Sequence, residues 1–67
     1  MVVMFNDLNK VCETAKGMYL VVDLYEGWVE VLYDGNSLHD AKKARRWRIE
    51  DTDGECCVRI LVKKEEY

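Results

Sequence analysis

The sequence predicts an α+β domain in the order α-β-β-α-β, with a three-stranded sheet covered by two helices on one face. Three observations predict it. Apolar residues recur at helical spacing in two segments, strand-forming residues cluster in three, and Glu26-Gly27, Asp34-Gly35-Asn36 and residues 51–54 supply turns between them. With 67 residues, 49% of them apolar and 34% charged, the whole chain (1–67) is expected to form a single small α+β domain. A chain of this size has no room for a second core or a large cofactor cleft.

In residues 4–16, Met4, Phe5, Leu8, Val11, Cys12 and Ala15 fall within one arc at 3.6 residues per turn, which predicts an amphipathic helix. Asn6 or Asp7 is its expected cap, and Gly17 its left-handed stop. From Met18 to Tyr33, Val, Leu, Tyr and Trp dominate around a single break at Glu26 and Gly27, so this stretch predicts a hairpin with a two-residue loop. That loop places Tyr25 opposite Trp28, Leu24 opposite Val29, Asp23 opposite Glu30, Val22 opposite Val31 and Val21 opposite Leu32. One face then carries Met18, Leu20, Val22, Leu24, Val29, Val31 and Tyr33 and is expected to be core. The other carries Tyr19, Val21, Asp23, Tyr25, Trp28, Glu30 and Leu32.

Ser37, three residues before Asp40, predicts the cap of a second helix running to Ile49 or Glu50. Its inner stripe is read as Leu38, Ala41, Ala44 and Trp47, supplemented by the stems of Arg45 and Arg48 with their charged ends in water. After a turn in which Gly54 takes positive φ, residues 55–64 alternate and predict the third strand. Cys56, Val58, Ile60 and Val62 share one side, and Cys57, Arg59, Leu61 and Lys63 the other. The tail Glu65, Glu66 and Tyr67 is expected to fray. An additional strand at residues 2–4 would change the order to a minimal ferredoxin-like β-α-β-β-α-β.

The stretch Tyr33, Asp34, Gly35, Asn36, Ser37, Leu38, His39, Asp40 and Ala41, continuing to Ala44, resembles the hairpin and Gly-x-Ser/Thr-Leu-x-x-Ala pattern of HicB-like antitoxin domains. The resemblance covers roughly half the chain and implies a small ββαβ module, although the Pro-containing segment usual in that family is missing. In size and economy of elements the chain is also similar to small phage-encoded inhibitors of bacterial enzymes.

The sequence offers little to support catalysis or cofactor chemistry, and neither an enzyme activity nor a cofactor is expected. His39, Cys12, Cys56 and Cys57 are potential zinc ligands, but no C-x-x-C or H-x-x-x-H spacing joins them. The Asp51-x-Asp53-Gly54 turn fails as a calcium loop, because its first ligand position is Ile49 and its last is Ile60. Three cysteines and no secretory pattern predict free thiols in a reducing, cytoplasmic setting, and no apolar run approaches the roughly 18 residues of a membrane span.

Two surfaces remain. Two helices on one face of the sheet would leave Tyr19, Tyr25, Trp28, Glu30 and Leu32 open on the other. That predicts a protein partner or a homodimer, hence an adaptor or inhibitor. Asp23 opposite Glu30 requires a nearby cation, which Arg59 or Lys63 of the third strand is expected to provide. The alternative is a nucleic-acid-binding module using Lys42, Lys43, Arg46 and Trp47, within five positive charges in seven residues. The net charge of −3 opposes a polyanion.

Overall fold

The computed structural model describes residues 2–63. Four strands, β1 (Val2–Met4), β2 (Tyr19–Tyr25), β3 (Trp28–Gly35) and β4 (Val58–Val62), form one antiparallel sheet in the order β1-β3-β2-β4. Two α-helices, α1 (Leu8–Thr14) and α2 (Leu38–Asp51), complete the fold, with a 3-10 turn at Phe5–Asp7 leading into α1. The three-stranded expectation is therefore corrected to four strands. The chain order becomes β-α-β-β-α-β, with the hairpin strands in the centre of the sheet and β1 and β4 at its edges.

This strand order determines where the helices go. β1 and β2 run parallel on either side of β3, and β3 and β4 run parallel on either side of β2. Both crossovers step the same way across the sheet but start from strands of opposite sense. Two right-handed crossovers must then put their helices on opposite faces. The packing agrees: Val11 of α1 joins Leu20, Val22 and Val29, whereas Ala41 of α2 joins Val21 and Val58. The expectation of two helices on one face is overturned, and with it the idea of a wholly open sheet face.

The hairpin turn forms at Glu26 (φ 44°) and Gly27 (φ 82°), the two positive-φ positions that match the twist of paired strands. Tyr25 to Val22 pair with Trp28 to Val31 as expected, but a bulge then makes Val21 face Tyr33 and Leu20 face Asp34. Tyr33 is moved to the α2 side, where it packs against the Val21, Ala41 and Val58 cluster. Met18, expected in the core, is exposed.

Helix α1 is shorter than its apolar period, because Met4 belongs to β1 and the helix ends at Thr14. Asp7 occupies the N-cap without a side-chain cap bond, and Gly17 does not act as a left-handed stop. Gly17 is needed for close approach: a side chain there would overlap the Gly35 backbone. The same junction is tied by Asp34, which accepts hydrogen bonds from the Lys16 and Gly17 amides at 3.0 and 2.7 Å, and by Asn36, which accepts from the Met18 amide at 2.9 Å. These two N–H donors hold the Asp34 carboxyl below its ordinary pKa.

Ser37 caps α2 as expected, its Oγ accepting from the Asp40 amide at 3.2 Å. The inner stripe differs from the sequence reading. Ala41 is fully buried and Ala44 and Arg48 are half-buried, while Leu38, Arg45 and Trp47 lie exposed. After α2, Asp53 (φ 53°) and Gly54 (φ 82°) reverse the chain. β4 is shorter than the predicted residues 55–64 but keeps the alternation, with Cys56, Val58 and Ile60 toward α2 and Leu61 toward α1. Lys64 and the tail residues 65–67 lie outside the described residues.

Candidate functional site

The Asp23 and Glu30 pair lies beneath the last turns of α2. Cross-strand pairing sets two carboxylates side by side, which is tolerable only with a cation between them. Arg48 supplies it from the helix: its Nη1 donates to Asp23 Oδ2 at 3.2 Å and its Nη2 donates to Glu30 Oε2. The expected role of Arg59 or Lys63 is thereby corrected, because the helix delivers its guanidinium to the sheet instead of to water. Asp23 is 4% exposed and also accepts the Cys57 amide at 3.1 Å, so it fastens β4 to the hairpin as well. Burial works against the Arg48 charge. The hydrogen bond to Glu30 and the charges of Glu30, Asp23 and Asp51 outweigh it, raising the Arg48 pKa above the ordinary arginine value. Arg48 Nε is buried without a partner among the described residues.

Beyond this triad α2 stops covering the sheet. Two residues along each hairpin strand, Tyr25 pairs with Trp28, and β1 adds Met4 beside Trp28 and Val2 beside Glu30. Alternation puts all four on the α2 side of the sheet. They are exposed all the same: Val2 by 50%, Met4 by 53%, Tyr25 by 42% and Trp28 by 46%. Phe5, whose amide bonds to the Gly27 carbonyl, is 49% exposed at the same end of the sheet. It lines an open depression of about 530 Å³ with Met4, Leu24 and Tyr25.

Of the expected partner-binding residues, the structure brings Tyr25 and Trp28 together in this open patch. Tyr19 and Leu32 are separated from it: both are half-buried against the cluster under α2. Glu30 stands at the border with its carboxylate engaged by Arg48. Val2 and Met4 were missed, because a three-residue strand is too short for alternation to be read from sequence.

The second expected surface is also a unit. His39, Lys42, Lys43 and Arg46 are exposed and line one depression of about 310 Å³ on the outer face of α2. Trp47, 59% exposed, lies on an adjoining side with Tyr33, Lys43 and Ala44, and the Arg48 guanidinium carbon sits 5.9 Å from its ring centre. Among the described residues, no group of three or more His, Cys, Asp or Glu side chains is placed to hold a metal ion, and no helix is long and apolar enough to cross a membrane. Cys12, Cys56 and Cys57 are free thiols.

Comparison of the chain with protein-family models, with curated proteins and with solved structures finds no match.

Proposed function

We propose that this chain is a small non-enzymatic interaction protein, an adaptor or inhibitor, that engages a protein partner through the uncovered end of its sheet. One observation carries the reading: Met4, Tyr25 and Trp28 are neighbours on three adjacent strands and remain 42–53% exposed where α2 ends. Tyr and Trp offer large contact area at low entropic cost and dominate binding energy where they gather. The Arg48 triad fixes the floor beside them and gives the patch a polar rim. Tyr19 and Leu32 have no part in the reading, since α2 covers them.

The test is reconstitution of a partner captured from native cells with purified wild type and variants. Trp28→Ala or Tyr25→Asp should weaken that complex by more than about tenfold, the range of an interfacial aromatic, with a small change in melting temperature. Unchanged affinity in both variants would refute the assignment of this surface.

The shared depression of His39, Lys42, Lys43 and Arg46 supports a second reading, a nucleic-acid-binding module with Trp47 as a stacking platform. Under it, a combined Lys42, Lys43 and Arg46 replacement by Ala abolishes binding to a short single strand, and wild-type affinity falls steeply with salt. Salt-insensitive protein binding that survives the triple change supports the first reading over this one.

A further inference from the structure

We infer that the outer edge of β4 pairs with a second copy of this chain, joining two four-stranded sheets into one of eight strands about a two-fold axis at Ile60. This inference is independent of the hairpin-end surface and uses the opposite edge of the sheet. β4 is terminal in the strand order, so among the described residues no strand pairs with its outer side.

The internal hydrogen bonds show which backbone groups face outward. Leu24 N–H donates to the Cys57 carbonyl at 3.0 Å, and Lys63 N–H donates to the Met18 carbonyl at 2.8 Å. In an antiparallel ladder each residue directs its N–H and C=O to the same side, and sides alternate. Residues 57, 59, 61 and 63 therefore face β2, and Val58, Ile60 and Val62 aim their N–H and C=O groups away from it. One of these carbonyls, that of Val58, is met by the Arg59 guanidinium at 3.3 Å. Val62 is 58% exposed, a large value for an apolar residue in a strand.

Charge and strand length together set the register in which a second copy fits. Antiparallel self-pairing about Ile60 matches Ile60 with itself, Val58 with Val62, and Arg59 with Leu61. Six inter-copy hydrogen bonds then form from the outward groups, the Val58 carbonyl using its second lone pair beside Arg59, and no like charges stand directly opposite one another among residues 58–62. Moving the axis by one residue sets Arg59 against Arg59, or Arg59 against Lys63, in the closely spaced type of pair where like charges are costly. The charged residues thus guard the edge against one-residue slips, and the axis at Ile60 is the one that pairs the full length of Val58–Val62 with its copy. In that alignment Val58, Ile60 and Val62 of both copies form a continuous apolar row on the α2 side, extending the cluster that already holds Val58. An interface this small implies a weak, concentration-dependent dimer.

Sedimentation equilibrium of the wild type from low micromolar to near-millimolar concentration should show reversible dimerisation. Val62→Pro removes an outward N–H that takes no part in the β2 ladder, so the fold should persist by circular dichroism. Two of the six inter-copy bonds disappear, and the dissociation constant should rise by about tenfold or more. A second variant serves even if proline perturbs the strand: Lys63→Cys sets a thiol opposite Cys57 of the second copy. Mild oxidation should then yield a covalent dimer whose mapped disulfide joins position 63 to Cys57. A wild type that stays monomeric throughout, a dimer indifferent to Val62→Pro, or cross-links that map elsewhere would overturn the inference.

Discussion

Replacing Arg48 should remove most of the stability of this domain at neutral pH. In Arg48→Met the helix keeps an apolar stem, but Asp23, 4% exposed, and its cross-strand neighbour Glu30 lose their shared cation. Stranding a buried charge in this way costs about 3–5 kcal/mol. That is the whole of what a single core of this size supplies, about 3–5 kcal/mol. The triple variant Arg48→Met, Asp23→Asn, Glu30→Gln should recover much of the loss at pH 7, because no charge remains to be stranded and the amide oxygen at position 23 can still accept the Cys57 N–H. Urea denaturation at pH 7 measures both variants. Wild-type stability of Arg48→Met at pH 7, or a triple variant no more stable than Arg48→Met, would refute the reasoning.

Ser37→Ala should cost about 1 kcal/mol by removing the acceptor of the Asp40 amide, seen as a lower urea midpoint with an unchanged slope. Gly17→Ala should destabilise by roughly 1–3 kcal/mol in the same assay, since its methyl overlaps the Gly35 backbone and no flexible side chain can yield there. Asp34, whose folded pKa lies below the ordinary 3.8, contributes stability that is present above that value and lost as pH falls through the folded pKa. Asp34→Asn should accordingly flatten the acid limb of the melting-temperature profile. Trp28→Ala, at a site 46% exposed, should lower stability by about 1 kcal/mol or less when measured by calorimetry on the isolated protein.

Local chemistry was legible wherever a short stretch of chain decides the outcome. Glu26 and Gly27 announce the hairpin because its turn needs two positive-φ residues, and Ser37 marks the start of α2 because its hydroxyl reaches an amide only three residues away. The alternation of residues 56–61 likewise survives in β4. Tyr25 and Trp28 could be paired across the turn for the same reason. Tertiary structure decided what depends on strand order and on long-range partners. Periodicity in residues 4–16 cannot show that Met4 pairs with Trp28 instead of joining the helix, and so the strand at residues 2–4 stood only as the alternative reading. Without β1 the sheet order was undetermined, and nothing required the helices to lie on opposite faces. That single fact turned Tyr19 and Leu32 from an open surface into half-buried residues, sent Arg48 between Asp23 and Glu30, and confined the exposed aromatics to the hairpin end. The bulge that moves Tyr33 to the α2 side belongs with these, since register is settled by which side chains a face must bury and not by the strand's own residues.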